Sequence, residues 1–116
     1  MIEIEDGGLV YYQFEEFQDQ GIFHGVFSRL GGISPAPWDS LNMGGTVGDD
    51  PHNVQENLSR LLAASGFSSG QLAQVKQIHS AKVIRADLPV DAVEEGDAIT
   101  TDQRGLLLLM RFADCV

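Results

Sequence analysis

Short apolar runs along the chain predict a fold that is rich in strands. Residues 9–14 combine apolar, aromatic and β-branched side chains, which is typical of a strand. Residues 22–29 predict a second strand, with Phe23, Gly25 and Phe27 on one face and His24 on the other. The last run is apolar almost throughout, as expected for a strand buried on both faces. It is one of four further predicted strands, at 71–78, 82–86, 97–100 and 106–112.

The segment after residue 49 predicts a helix. Asp50 suits the N-cap position, and Pro51 suits the first helical position. Gly66 suits the position that follows the last helical turn. A helix with this many strands predicts a mixed α/β (α+β) fold. Its apolar stripe consists of Val54, Leu58, Leu61 and Leu62.

A long glycine- and proline-rich segment, residues 30–48, separates the second strand from the helix. Segments of this length inside compact domains are usually functional or disordered. Trp38, Leu41 and Met43 lie within it and favour an ordered loop. Residues 89–96 predict an acidic loop, and Asp97 with residues 100–102 is expected to shape a turn.

Two strand ends deliver side chains that could carry chemistry. His79 closes the run at 71–78, and Cys115 follows Asp114 after the last apolar run. The two could act as nucleophile and base, or as two ligands of a metal such as zinc. A small buried cysteine and a surface histidine are the plain structural alternatives. His24 and His52 are expected to be a packed and a solvent-facing histidine, not a third ligand.

Two residues of the first half could bind a substrate. Arg29 precedes Gly31 and Gly32, where backbone can approach a ligand closely and a guanidinium can hold an anion such as phosphate. It could equally be an exposed arginine before a turn. Asn42 could hydrogen-bond a substrate or cap its own turn. Residues 48–51 are explained by helix capping.

Composition narrows the class of protein. A chain of 116 residues is one domain at most, and 17 acidic against 7 basic residues give a net charge of −10. That charge argues against nucleic acid or an anionic membrane as a partner. One cysteine allows no internal disulfide. The apolar run at 106–110 is too short to span a bilayer, and the first residues lack a signal-peptide pattern. We expect a cytoplasmic protein.

An ordered set of segments resembles the laccase-domain family, also called YfiH-like or multicopper polyphenol oxidoreductase, whose members have been recognised as purine nucleoside phosphorylases. Each segment is weak alone, whereas their order and spacing are specific. The set is HGVFSRLGGIS at 24–34, SLNMG at 40–44, VGDDP at 47–51, VQEN at 54–57, QIH at 77–79, DAIT at 97–100 and ADC at 113–115.

The resemblance implies a YfiH-like sandwich and a metal-assisted enzyme, usually with zinc and sometimes with copper. By similarity, His79 and Cys115 are metal ligands and catalytic residues, Arg29 helps bind phosphate or substrate, and Asn42 supports the pocket. The implied activities are phosphorolysis of adenosine, inosine and methylthioadenosine, and hydrolytic deamination of adenosine. Asp114 is expected to orient the ligands.

The chain departs from the family pattern at three places. Leu58 stands where an arginine is usual, and Ser80 where a glycine commonly follows the histidine. The family's third ligand, in a downstream His-x-Gly-Trp-x-Gly segment, has no counterpart. We therefore expect residues 1–116 to be the N-terminal part of a single laccase domain, inactive alone or completed by another chain.

Three other functions stay open at this point. Cys115 and His79 could form a Cys-His hydrolase or deamidase that alkylation of the thiol would inactivate. The chain could instead be a non-enzymatic module that associates with itself through an exposed sheet edge. Copper-dependent phenol oxidation ranks lowest, because one cysteine and three histidines cannot build several copper sites.

Overall fold

The computed structural model of the chain describes residues 1–89 and 94–113. Contacts divide the chain into two compact units, Met1–Gly66 and Phe67–Val116. Both predicted ligands fall in the second unit, but Cys115 and Asp114 lie outside the described residues. The expectation that the chain is part of one domain stays a prediction.

The first unit contains a three-stranded antiparallel sheet in the order β1-β2-β3. The strands are β1 (Ile2–Asp6), β2 (Leu9–Gln13) and β3 (Val26–Phe27). The alternation in β2 buries Leu9 and Tyr11 and leaves the residues between them half-buried. Gly7 and Gly8 join β1 to β2 with φ of 57° and 88°, as a two-residue hairpin turn requires. β1 has only two apolar residues and was not predicted.

The predicted strand at 22–29 is shorter in the structure, where only Val26–Phe27 pairs with β2. The residues just before β3 are held by side-chain hydrogen bonds and not by backbone pairing with β2. Gln13 Nε2 donates to the carbonyl of His24 at 2.9 Å, and the Phe14 N–H donates to His24 Nε2 at 2.8 Å. Phe23 and Phe27 nevertheless both contact the ring of Tyr11, with centroids 6.3 and 4.5 Å away. The predicted shared face is therefore correct although the strand is not continuous.

Helix α1 (Pro51–Ser65) has the predicted bounds and caps. The side chain of Asp50 accepts the N–H of His52 at 2.9 Å. Gly66 takes a φ of 75°, and its N–H donates to the carbonyl of Leu62 at 3.0 Å. A 3₁₀ turn, Glu15–Gln20, precedes β3 and was not predicted. The buried side chains of α1 are Asn57, Leu61, Leu62 and Ser65.

The segment between β3 and α1 is an ordered loop without helix or strand. Leu41 is buried, and the indole of Trp38 donates to the carbonyl of Val47 at 3.0 Å. Gly32 packs against the backbone of Ser40 so closely that a Cβ atom would overlap it. The loop therefore closes on itself, and the glycine is required by that approach.

The second unit contains two pairs of parallel strands. β4 (Leu72–Gln74) pairs with β7 (Leu107–Leu109), and β5 (Val83–Arg85) pairs with β6 (Ala98–Thr100). All four predicted strands are present but shorter than predicted. Leu107 is buried, whereas Leu108 and Leu109 are only half-buried, so β7 is less enclosed than its composition predicts. The core of this unit comprises Leu72, Ala73, Val75, Ile84, Ala86 and Leu107.

A mixed α/β fold with several strands and an α-helix is thus what the described residues form, as the sequence predicts. Within those residues, no helix combines the length and the apolar character that crossing a membrane demands.

Candidate functional site

His79 lies in the loop between β4 and β5 and has an unusual backbone conformation. Its φ is 62°, and it is the one residue other than glycine with a positive φ in the described part of the chain. Such conformations are costly for residues with a Cβ atom and tend to occur at functional positions. The side chain is exposed. Within residues 1–89 and 94–113, no hydrogen bond engages the imidazole, so both ring nitrogens are accessible.

The carboxylate of Asp97 holds this loop from the neighbouring strand pair. It accepts the N–H groups of Ile78 at 3.2 Å, His79 at 2.9 Å and Ser80 at 2.7 Å. The hydroxyl of Ser80 donates to the same carboxylate at 2.7 Å. That hydroxyl and the three N–H groups lower the pKa of Asp97 to about 2, against an opposing effect of desolvation. The carboxylate is therefore ionised over the whole range in which an enzyme normally works.

Gln77, two residues before His79, connects the loop to the segment that follows β7. Its Nε2 donates to the carbonyl of Arg111, and its Oε1 accepts the N–H of Arg111, both at 2.8 Å. The guanidinium of Arg111 in turn donates to the buried side chain of Gln74. Burial lowers the pKa of Arg111. The loop of His79 is thus joined by direct hydrogen bonds to Arg111, which lies two residues before the segment that begins at Ala113.

The pairing of His79 with Cys115 stays a prediction, because Cys115 lies outside the described residues. No group of three His, Cys, Asp or Glu side chains that could hold a metal occurs in the described part of the chain. The accessible imidazole of His79 fits a zinc or copper ligand. A complete ligand set would need Cys115 and at least one further group.

Arg29 belongs to the first unit and lies two residues after β3. Its carbonyl accepts the N–H groups of Ser40 and Leu41, at 2.9 and 2.8 Å, and so anchors the loop after β3. Its side chain is exposed, and no described residue forms an ion pair or hydrogen bond with the guanidinium. The guanidinium therefore remains accessible to an anion.

Asn42 also belongs to the first unit, and its amide is already engaged. Nδ2 donates to Asp49 Oδ2 at 3.0 Å and to the carbonyl of Gly44 at 3.3 Å. Oδ1 accepts the N–H of Gly44 at 3.0 Å. Both amide hydrogens can be used in these bonds, which matches the alternative in which Asn42 caps its own turn. In this conformation it can shape a pocket, but its donors are occupied.

A buried polar network around Asn57 was missed by the sequence analysis. Asn57 has no exposed surface. Its Oδ1 accepts the N–H of Ile33 at 2.8 Å. Its Nδ2 donates to the hydroxyl of Ser34 and to the carbonyl of Asn42, both at 2.9 Å. It lies one helical turn from Leu61, on the buried face of α1. A polar residue among the apolar positions of that face was the available signal.

Asp49 was assigned to helix capping, and the structure gives it another partner set. Asp50 caps α1, whereas the carboxylate of Asp49 accepts the hydroxyl of Ser34 and the amide of Asn42. The hydroxyl of Ser34, followed by other donors, lowers the pKa of Asp49. Asp97 was likewise expected to shape a turn of its own, and it instead organises the loop of His79. Only strand pairing across the second unit brings it there.

The other two histidines, His24 and His52, lie in the first unit. His24 accepts the N–H of Phe14 and packs against the rings of Phe14 and Phe17, so it is a packed histidine. His52 is exposed in the first turn of α1. Both placements agree with the expectations from sequence.

Comparison with known proteins defines the class to which the chain belongs. The family model described as multi-copper polyphenol oxidoreductase laccase matches residues 23–116. The chain therefore belongs to this family, as its ordered segments indicated. The match includes the loop of His79 and the segment with Asp97.

Relatives within the family carry a more particular name. A protein of Corynebacterium glutamicum, named a purine nucleoside phosphorylase, is 46% identical over 92 residues, which are 77% of this chain and 37% of that protein. A protein of Deinococcus radiodurans with the same name is 40% identical, and the match covers 35% of its length. The purine nucleoside phosphorylase YfiH of Escherichia coli is 33% identical and is covered to 40%.

Solved structures show the same fold. YlmD from Geobacillus stearothermophilus matches 97% of this chain with a TM-score of 0.82 and 30% identity, over 44% of its own length. The YfiH protein of Bacillus licheniformis matches with a TM-score of 0.78 and 22% identity, which supports the fold alone. The chain thus spans 35% to 40% of the length of these curated relatives.

Proposed function

We propose that this chain carries the N-terminal part of the site of a purine nucleoside phosphorylase. The names of its relatives support the reaction class, since phosphorolysis of a purine nucleoside consumes the nucleoside and phosphate. In this chain the proposal rests on the conformation of His79. Its imidazole is accessible, and its backbone is left-handed and is held by a hydrogen bond from its N–H to Asp97.

His79 and Cys115 would hold a metal ion, with zinc as the first choice and copper as the alternative. Imidazole and thiolate are the donors that zinc favours. When bound, such an ion polarises an oxygen of the substrate or lowers the pKa of a water molecule. Cys115 must be a thiolate to act as a ligand, so metal affinity is expected to fall as the thiol becomes protonated.

Arg29 would bind the phosphate nucleophile. A guanidinium holds two phosphate oxygens at once, which fixes the direction from which the third oxygen reaches the sugar C1′. Its positive charge also offsets the negative charge of phosphate, which favours binding of this nucleophile beside the sugar. Asn42 would act on the pocket indirectly, because its amide holds the loop at residues 42–49 together.

The proposed substrates are adenosine, inosine and methylthioadenosine, with deamination of adenosine as a further activity of the same centre. Deamination needs a nucleophilic water in place of phosphate, which the same metal would supply. We also propose a cytoplasmic location. Because the chain spans 35% to 40% of its curated relatives, the activity is proposed for this chain completed by a C-terminal segment.

The test compares this chain as it stands with the chain joined to the C-terminal part of the C. glutamicum relative. Phosphate-dependent release of hypoxanthine from inosine, and of adenine from adenosine, is measured together with bound metal. The joined protein should be active, and H79A, C115S and R29A should each remove most of that activity. H52A, at an exposed histidine of the first unit, is the matched control and should retain it.

The same experiment separates this function from a Cys-His hydrolase. A metal-dependent phosphorylase loses activity with a chelator and regains it with zinc. A hydrolase would be insensitive to the chelator, independent of phosphate and inactivated by iodoacetamide. Full activity of H79A in the joined protein would contradict the proposed metal site, and no phosphate dependence would contradict the reaction class.

A further inference from the structure

One carboxylate satisfies three consecutive backbone donors around His79. Asp97 Oδ1 accepts the N–H of His79 at 2.9 Å, and Oδ2 accepts the N–H of Ser80 at 2.7 Å. The N–H of Ile78 is shared between both oxygens at 3.2 Å. The hydroxyl of Ser80 adds a fourth donor. Such an arrangement fixes the backbone at residues 78–80 as a unit, with His79 at its centre.

The direction of the imidazole depends on this arrangement. At a φ of 62°, the Cα–Cβ bond of His79 points differently from that of a residue in an ordinary strand or helix conformation. A residue other than glycine keeps such a conformation only when its surroundings enforce it. Asp97 is the described residue that bonds the N–H of His79 and of both of its neighbours.

Asp97 itself is fixed by the parallel strands. Its own N–H donates to the carbonyl of Lys82 at 3.0 Å, just before the pairing of β5 with β6 begins at Val83 and Ala98. The N–H of Gly96 donates to the carbonyl of Lys76 at 3.0 Å. Gly96 is buried, and a Cβ atom there would crowd the side chain of Ile84. The carboxylate is therefore held on a packed element and not on a mobile side loop.

We propose that Asp97 is a positioning residue that aims the imidazole of His79 at the metal, with Ser80 as its second anchor. This inference rests on the proposed metal role of His79. Asp97 is not assigned as a ligand, because both of its oxygens already accept hydrogen bonds from the loop. The effect is exerted through the backbone, which distinguishes it from a carboxylate that bonds the imidazole of a ligand directly.

The first measurement is the exchange of backbone amide hydrogens in the ¹⁵N-labelled chain. Replacing one acceptor oxygen by an amide group in D97N should make the amides of Ile78, His79 and Ser80 exchange about tenfold faster or more. D102N is the matched control, since Asp102 is an exposed aspartate of the same unit that pairs with Arg85. Its exchange at residues 78–80 should equal that of the unmodified chain.

The second measurement is zinc affinity by competition with chelators of graded strength, in this chain and in the joined protein. D97N should weaken zinc binding about 10- to 100-fold, as loss of an outer hydrogen bond typically does, while D102N should not. A double-mutant cycle separates positioning from a general loss of stability. D97N added to H79A should cause no further loss, because Asp97 acts on the metal only through His79.

Each of three results would overturn the inference. The first is unchanged amide exchange in D97N, and the second is unchanged zinc affinity in D97N. The third is an equal loss of zinc affinity when D97N is added to H79A. Should D97N fail to give a folded chain by circular dichroism, S80A replaces it, since it removes one donor and keeps the carboxylate. S80A should then show the same two effects at smaller size. The absence of either effect in S80A would overturn the inference.

Failure of the proposed function is recognised separately. If H79A binds zinc as well as the unmodified protein does, the metal role of His79 is wrong. The amide exchange rates of residues 78–80 in D97N still decide whether Asp97 fixes this loop. If these rates are unchanged, the positioning role is wrong as well.

Discussion

The side chain of Gln77 bonds both backbone groups of Arg111, so that a side-chain amide takes the place of a neighbouring strand. The pair continues the parallel ladder of β4 and β7, whose last partners are Gln74 and Leu109. It joins residues that are 34 positions apart. The strand that leads to His79 is thereby tied to the strand that leads, in the sequence, to Cys115.

Removing this connection should destabilise the second unit. Two hydrogen bonds at about 0.5–1.5 kcal/mol each predict that Q77A lowers the free energy of unfolding by about 1–3 kcal/mol. Urea denaturation followed by circular dichroism measures the change. Q103A is the control, because the side chain of Gln103 is exposed and, among the described residues, bonds the side chain of the adjacent Asp102. Equal stability of Q77A and Q103A would show that the pair contributes nothing.

Asn57 should be essential for the stability of the first unit. N57A leaves the buried hydroxyl of Ser34, and the partly buried N–H of Ile33 and carbonyl of Asn42, without the amide of Asn57 as a partner. Unsatisfied buried groups predict a loss of roughly 2–4 kcal/mol in the free energy of unfolding. Thermal unfolding should show a clearly lower midpoint than that of Q55A, whose side chain is exposed on the same helix. A midpoint for N57A within the error of the control contradicts this role.

Acid should weaken the loop held by Asp49. The pKa of Asp49 in the folded chain lies below its ordinary value of 3.8, chiefly because the hydroxyl of Ser34 donates to it. Between the lowered pKa and 3.8, Asp49 binds more protons in the unfolded chain than in the folded chain. The contribution of Asp49 to the free energy of unfolding is therefore complete above pH 3.8 and is lost as the pH falls further.

The expected signature is a pH-dependent difference between the unmodified chain and D49N. The unmodified chain should be the more stable one at pH 6, and the difference in unfolding midpoint should shrink from pH 4 downwards. D19N, at an exposed aspartate of the 3₁₀ turn, should show no such trend. A difference that stays constant down to acid pH would exclude the lowered pKa as its cause.

The cap of α1 gives a prediction of known size. D50A removes the acceptor of the N–H of His52, which should cost about 0.5–2 kcal/mol of unfolding free energy. H52A keeps that backbone N–H and changes only an exposed side chain, so its stability should match that of the unmodified chain. Denaturant midpoints of the two variants provide the comparison. A larger loss for H52A than for D50A would assign the effect to the imidazole and not to the cap.

The parts that sequence predicted well are those governed by local chemistry. The bounds of α1 follow from Asp50, Pro51 and Gly66, since a capping carboxylate, a fixed φ and a left-handed terminus each act within one turn. The four strands of the second unit were located for a similar reason, because apolar runs between turn residues have few other conformations. Their ends were predicted too long, because pairing partners decide where a strand stops.

The first unit shows where local reasoning fails. The alternation at 22–29 predicts a strand, yet Gln13 and Phe14 engage His24 through side-chain hydrogen bonds ahead of β3. Asn57 looks like a surface residue of a helix until its three partners in the loop are known. Both cases depend on contacts between distant residues, which a pattern of hydrophobicity does not contain.

The sequence by itself determined the family, the helix with its caps and the identity of the chemically capable side chains, because these are properties of residue types and their order. Only the tertiary structure decided the hydrogen-bond partners of these side chains. The carboxylate of Asp97 binds the loop of His79, and the side chain of Gln77 binds the backbone of Arg111. The amide of Asn42 donates to Asp49. Hydrogen bonds are directional and act over about 3 Å, so their partners are chosen only when strand pairing has brought distant segments together.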